Sequence, residues 1–261
     1  MIPRLTAIQF HRFMSSGRTS PALCRCKGDA GSGLGDYVVK LRGGIDRGER
    51  GLLCELIGSQ LATHFGISTP ESALVSIVAG FAEEMALAEP SRADRLRNSV
   101  GLNFGSRLMP GMSGWPVDKT IPEGMWGAAV NIFAFDALIQ NPDRRFNNQN
   151  LLVRGNDIFV YDHELAFSFL EAILPSGTPW KLMEQPYLSE HVFYRQLKKK
   201  PFDLSGFALA LSGLLGRRLD SILAEAPAEW NNEVLGRIGQ HLRLVNGHAE
   251  EFVEEIRRSL A

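Results

Sequence analysis

Strand-like apolar stretches around one strongly patterned helix mark the first part of the chain, and helical spacing of apolar positions predominates in the last. Residues 5–14 read as a strand with imperfect alternation, Pro21 to Cys26 as a second, and Tyr37 to Leu41 as a third. The third has the β-branched and aromatic side chains that suit a pleated surface. Turn-forming stretches separate them, Ser15 to Ser20 and the glycine-rich Gly28 to Gly35. From Arg50 to Phe65 the period changes: Leu52, Leu53, Leu56, Ile57, Gln60 and Leu61 recur at three and four, and Gly66 stands as the stop. Pro70 opens another apolar strand, Ala73 to Val78. Residues 80–98 look helical and charged, Val100 to Met109 read as a strand, and Pro110 to Pro116 is turn-rich enough for a hinge or linker.

Residues 124–140 form a helix with almost no polar face, which predicts burial on all sides. A hairpin follows, Leu151 to Asp162, turning at Gly155 and Asn156. Beyond residue 163 the pattern is almost wholly helical, interrupted near Pro175–Pro179 and Pro201. Strands with one helix come first and helices last. That order predicts an α+β chain in two lobes, a small β-rich one over 1–110 and a larger, mostly helical one over 111–261.

Composition narrows the function classes only a little. A net charge of −1 gives no support to a nucleic-acid binder. The charge is uneven: residues 1–50 hold nine Lys/Arg against four Asp/Glu, a bias that suits a polyanionic ligand and equally a solvated basic face. Cys24, Cys26 and Cys54 lack the spacing of a zinc site or disulfide framework and read as small buried hydrophobes in a reducing compartment. There is no signal peptide and no long apolar run, so the expectation is a cytoplasmic protein with no membrane partner. The six histidines show no metal spacing.

The chemistry concentrates in Asn141-Pro142-Asp143 through Asn148 and in Asp162. Pro142 ends the apolar helix and sets Asp143 on a loop. The tight hairpin brings Asp162 back toward that loop. A carboxylate to take the acceptor's proton, with an amide and a second carboxylate to hold Mg²⁺ on phosphates, is what phosphoryl transfer from ATP requires. The kinase catalytic loop spaces its Asp and Asn in the same way. A structural alternative makes Asp143 a turn-former and Asp162 a helix cap. Lys40, inside an apolar strand, needs a partner, and Glu55 interrupts the apolar stripe of the following helix. Together they match a kinase lysine–glutamate pair, against an edge lysine and a surface glutamate. For the phosphate-gripping loop, Ser15–Ser20, which includes Ser16, Gly17, Thr19 and Ser20, lies where the first two strands join. Gly31–Gly35 is the other candidate and reads better as a hairpin turn. Asp136 and Asn131 on the buried helix are expected to satisfy backbone or loop groups, and Lys198 to Lys200 to form a solvated patch.

These pieces, in this order, resemble the HipA-like serine/threonine kinases: Tyr37 to Lys40, Glu55 through Gly66 with Pro70, Phe104 to Gly111, Asn141 to Asn148, and Tyr161-Asp162. The likeness runs to about residue 170. It implies that Asp143 is the catalytic Asp, that Asn148 and Asp162 are Mg²⁺ ligands, and that Lys40 contacts the α/β phosphates. It also implies that Arg107, Leu108 and Met109 line the adenine pocket through their backbone, and that Ser16, Thr19 or Ser20 are candidates for autophosphorylation. Two departures stand beside the chemistry: Arg145 where the family usually has histidine, and Glu164 where a small residue often follows the metal Asp. The chain is shorter than full-length toxins of the family, and nothing in it supports an antitoxin-type partner.

The expectation is an ATP- and Mg²⁺-dependent kinase acting on a Ser or Thr hydroxyl, its own or another protein's. The alternatives are a silent nucleotide-binding module that works through partner contacts, and a kinase-fold enzyme that transfers to a lipid or small molecule or transfers AMP.

Overall fold

The computed structural model describes residues 1–14, 19–28, 33–173, 176–230 and 232–261. The chain divides into two compact units, residues 1–56 with 70–110, and residues 57–69 with 111–261.

In the first unit five strands close into a barrel: β1 (Arg4–Phe13), β2 (Ala22–Gly28), β3 (Gly35–Lys40), β4 (Ser72–Ile77) and β5 (Gly101–Arg107), in the order β1-β2-β3-β5-β4. Closure comes from β4, which pairs parallel to β1 from Arg4 against Leu74 to Thr6 against Ser76. Closing the sheet leaves no exposed edge. The imperfect alternation of β1 has a structural cause, since register shifts fall between Ala7 and Gln9 and between Phe10 and Arg12. Each bulge inserts an unpaired residue and flips the faces beyond it. Inward positions follow a period of two elsewhere: Cys24 and Cys26 on β2, Tyr37 and Val39 on β3, Ala73, Val75 and Ile77 on β4. Burial pushes the thiols of Cys24 and Cys26 up to about 12, so both are inert apolar filling.

The stretch 80–98 is not one helix. It breaks at Pro90 into α2 (Ala79–Ala88) and α3 (Ala93–Arg97), joined by a 3₁₀ turn. Phe81, Ala82 and Met85 of α2 and Leu96 of α3 pack into the barrel's apolar cluster. Between β3 and β4 runs α1 (Glu49–His64), whose Leu52 to Ile57 are all buried, Glu55 included. Gly66, at φ +68°, ends it as expected: its N–H donates to the Thr63 carbonyl and that of Ile67 to Ala62.

In the second unit the apolar helix is α4 (Trp126–Leu138), buried from Ala129 to Leu138 except at Asn131. The turn-rich segment after Pro110 is more than a connection. It contributes β6 (Ser113–Gly114), which pairs with β7 (Leu151–Arg154), itself paired with β8 (Asp157–Val160). The region after residue 163 departs from the helical expectation. Up to residue 204 its described residues form a series of 3₁₀ turns and one short helix, α5 (Tyr194–Leu197). Pro179, Pro186 and Pro201 remove donors a continuous helix would need. Leu182, Leu188, Val192, Phe193 and Leu197 are still buried, so the apolar spacing is honoured without the helix. Regular helices resume with α6 (Ser205–Ser212), α7 (Arg217–Leu223), α8 (Asn232–Gly247) and α9 (Ala249–Leu260). Phe207 of α6 stacks on Phe65 at 4.7 Å and packs near Phe252 of α9.

Candidate active site

In the first unit, Lys40 at the end of β3 forms an ion pair with Glu55 of α1. Their side chains are 11% and 2% exposed, which excludes the reading of a solvated edge lysine and a surface glutamate. Asn103 on β5 accepts the Arg42 N–H at 2.7 Å, which anchors the chain just after Lys40. At the end of β5, the Arg107 N–H donates to the Glu71 carbonyl and the Leu108 N–H to the Asp36 carbonyl, each at 2.8 Å. Met109 lies one residue beyond.

Ser16 and Gly17 lie outside the described residues. Thr19 and Ser20 stand at the start of the return into β2, where the Met14 N–H donates to the Pro21 carbonyl at 2.8 Å. Arg95 of α3 reaches back to them, its Nη2 donating to the carbonyls of Thr19 and, at 3.1 Å, Ser20.

In the second unit the loop after α4 is organised around Asp143. Its Oδ2 accepts from Asn148 Nδ2 at 2.8 Å and from Asn150 Nδ2 at 3.0 Å, while Oδ1 faces Arg145 Nη2 at 3.4 Å. One carboxylate oxygen is thus fixed by two amides and the other is ion-paired with Arg145. Because Asn148 uses its nitrogen on Asp143, its Oδ1 remains as an oxygen donor.

Below this loop is a buried ion pair that spacing does not reveal. Arg144 Nε donates to Asp136 Oδ2 at 2.6 Å, and both side chains are fully buried. The same oxygen accepts from His191 Nε2 at 3.0 Å, and Oδ1 accepts from Asn141 Nδ2 at 3.0 Å. Arg144 also donates to the carbonyls of Asn150 and, at 3.3 Å, Tyr161. One guanidinium therefore joins α4, the catalytic-loop candidate, the start of β7 and the residue before Asp162. Burial alone would push the Asp136 carboxyl up. Arg144 and His191 outweigh it and hold the group down at about 2. Burial lowers the His191 pKa against the pull of Asp136. The ring is neutral with its proton on Nε2, since Nδ1 accepts the Phe193 N–H at 3.2 Å.

The helix end that launches the loop is held from two other segments. The Leu138 carbonyl accepts from His241 Nε2 of α8 at 2.8 Å, the Ile139 carbonyl from the Phe167 N–H, and the Gln140 carbonyl from the Ser168 N–H. These are carbonyls a helix terminus leaves unmatched. His241 is enclosed and stacked on Phe169 at 4.3 Å, and burial holds its pKa down to about 4.

A pH dependence follows with a definite sign. The folded state keeps His241 neutral down to about pH 4, whereas the unfolded chain takes up its proton near 6.5. Between those values the unfolded state binds more protons, so stability falls as the pH is lowered. Asp136 adds a further loss between 3.8 and about 2. Urea midpoints should drop from pH 7 to pH 5. The full His241 contribution by pH 4 is on the order of 3 kcal/mol. His241→Gln, which keeps a donor for Leu138 without the titration, should make the profile shallower and leave the part that the lowered His191 contributes. An unchanged profile would remove His241 as its source.

Asp162 follows β8 at φ +60°, a left-handed conformation unusual for a residue other than glycine. The neighbouring Tyr161 N–H donates to the Asn150 carbonyl at 3.2 Å. A carboxylate oxygen of Asp162 lies within 4.8 Å of one from Glu164, which is 6% exposed. Gly58 allows this segment to sit against α1, because a Cβ there would stand 2.7 Å from the His163 Cβ. The oxygen donors of Asn148, Asp162 and Glu164 suit a hard cation such as Mg²⁺. Glu164, first read only as a departure, thus supplies an oxygen beside that of Asp162. The signal for Arg144 was an arginine next to the loop Asp with a buried Asp136 eight residues before it, and nothing in the spacing marked it as enclosed.

The family model for HipA-like kinases matches residues 7–252. Among solved structures, the fold is similar to the crystal structure of a Helicobacter pylori proinflammatory kinase, CtkA, at a TM-score of 0.53 and 11% sequence identity. That match covers 96% of this chain and 98% of the other. No curated protein sequence matches the chain. With most of its length matched by the family model, the chain belongs to the HipA-like kinase family.

Proposed function

We propose that the protein is a two-lobed, ATP- and Mg²⁺-dependent kinase that transfers the γ-phosphoryl group to a serine or threonine hydroxyl, with lobes over 1–110 and 111–261. The observation that carries this reading is the Asp143 carboxylate, with Oδ2 fixed by Asn148 and Asn150 and Oδ1 left free of both amides, 3.4 Å from Arg145 Nη2. Asp143 Oδ1 accepts the proton of the acceptor hydroxyl as its oxygen bonds to the γ-phosphorus. The bond from that phosphorus to the bridging oxygen breaks, and the electron pair leaves on ADP. Asn148 and Asp162, with Glu164 beside Asp162, would hold Mg²⁺, which would neutralise phosphate charge when bound. Lys40, aimed by Glu55, contacts the α/β phosphates. The Met109 N–H serves the adenine edge, since those of Arg107 and Leu108 are engaged within the barrel. Ser16, Gly17, Thr19 and Ser20 belong to the phosphate loop, and Ser16, Thr19 or Ser20 supplies the hydroxyl for autophosphorylation. Catalysis comes from positioning and charge neutralisation, without a covalent intermediate.

No described helix is long and apolar enough to cross a membrane.

Intact-mass spectrometry after incubation with ATP and Mg²⁺ tests the reaction. Gain of a phosphoryl group, abolished by chelating the metal, is expected. Gain of an AMP group would replace phosphoryl transfer with nucleotidyl transfer. Lys40→Gln should cut the transfer rate by about 10²–10³-fold, the usual loss for one charge-stabilising donor. An unchanged rate in a folded variant would remove Lys40 from the phosphate site.

A further inference from the structure

Lys198, Lys199 and Lys200 follow α5 and are exposed, as is Arg195 within it. Gln196 ties this segment to a second one. Its Nε2 donates to the Lys119 carbonyl at 3.1 Å, and its Oε1 accepts the Ile121 N–H at 2.8 Å. Lys119 thereby joins the group, giving five cations on two adjoining segments. Asp118 and Glu123 are the acidic residues there, so residues 118–126 and 194–200 together carry five positive charges against two negative, a net of +3.

These cations differ from the arginines of α9, where Arg257 and Arg258 pair with Glu254 and Glu255 in their own helix. Among the described residues, none of the five cations has a carboxylate partner. Three lie over aromatic faces instead: Lys119 Nζ is 4.8 Å from the Trp115 ring, Lys198 Nζ 5.6 Å from Tyr194 and Lys200 Nζ 5.9 Å from Trp126. Such contacts hold the lysine stems while leaving the ammonium charge unneutralised, which lowers the entropy lost on capturing an anion.

The patch is joined by backbone pairing to the loop that carries Asp143. Arg145 bridges His191, the Val192 N–H donates to the Arg144 carbonyl at 3.1 Å, and the Phe146 N–H donates to the Glu190 carbonyl at 3.2 Å. Only Phe193 and α5 separate that pairing from Lys198, a path of no more than about 20 Å.

We propose that this surface docks an acidic segment of the phosphoacceptor protein, within roughly six extended residues of the serine or threonine. The proposal rests on the kinase reading above. An acidic polypeptide fits better than a nucleic acid, because the aromatic faces that bases would stack on are already occupied by ammonium groups.

The test separates docking from catalysis. Binding of a fluorescent peptide, with a glutamate tract beside an alanine in place of the acceptor serine, is measured by anisotropy. The proteins compared are the wild type and a variant carrying Lys198→Gln, Lys199→Asn and Lys200→Gln. Asparagine tolerates the +60° φ of Lys199. The wild type should bind the acidic peptide and not its glutamine counterpart, and the variant should bind about tenfold more weakly or worse. In transfer assays with the serine peptide the variant should raise KM and leave kcat and the KM for ATP unchanged. Equal binding of the acidic and glutamine peptides, or equal binding by the two proteins, overturns the proposal. So does tighter binding of a single-stranded oligonucleotide at the same salt. Selective docking without phosphoryl transfer would sustain the surface and sink the kinase reading.

Discussion

Asp143→Asn should lower the phosphoryl-transfer rate by about 10²–10⁴-fold with fold and ATP affinity near wild type. The argument lies in which oxygen each neighbour uses. Asn148 and Asn150 both donate to Oδ2. An asparagine carbonyl can keep those two bonds, so the loop retains its shape. The amide nitrogen then replaces Oδ1, where the acceptor's proton must go. An amide donates at that position and cannot accept, and it also faces another donor, Arg145 Nη2. Single-turnover transfer measured by mass, with ATP binding followed by calorimetry, separates lost chemistry from lost binding. A variant that keeps near-wild-type transfer would dismiss Asp143 as the base.

Arg144→Met should destabilise the protein by about 3–5 kcal/mol, the cost typical of breaking a buried ion pair on one side. Asp136 would keep Asn141 and His191 but lose the only full charge opposite it in this network, while enclosed from water. The carbonyls of Asn150 and Tyr161 would lose their donor as well. Asp136→Leu combined with Arg144→Met should be markedly less destabilised than Arg144→Met alone, because no lone charge stays buried. Denaturant unfolding near neutral pH, where Asp136 is ionised, measures both. A loss under about 1 kcal/mol for the single variant would mean that this pair does not anchor the loop.

The ion pair also shows what was legible in the chain. The strands of the barrel, α1 with its glycine stop, α4 and the Gly155–Asn156 hairpin were readable because local periodicity and turn chemistry set them. Lys40 was readable as a charge in an apolar strand, which needs an opposite charge, and Glu55 is there. Barrel closure was not, because pairing β4 to β1 joins residues about seventy apart and leaves no local mark. The segment 163–204 misled, since buried apolar residues at helical spacing were spread over 3₁₀ turns broken by prolines.

By itself the sequence determined the barrel strands, α1, α4, the hairpin and the relation of the chain to a family, because each is written in spacing along one segment. Only the tertiary structure decided which carboxylate oxygen of Asp143 is held by amides and which meets Arg145, that Arg144 sits fully buried on Asp136, and that His241 caps the helix before the loop. Those depend on burial and on partners far apart in the chain. Desolvation and directed hydrogen bonds act through space, where spacing along the chain carries no signal.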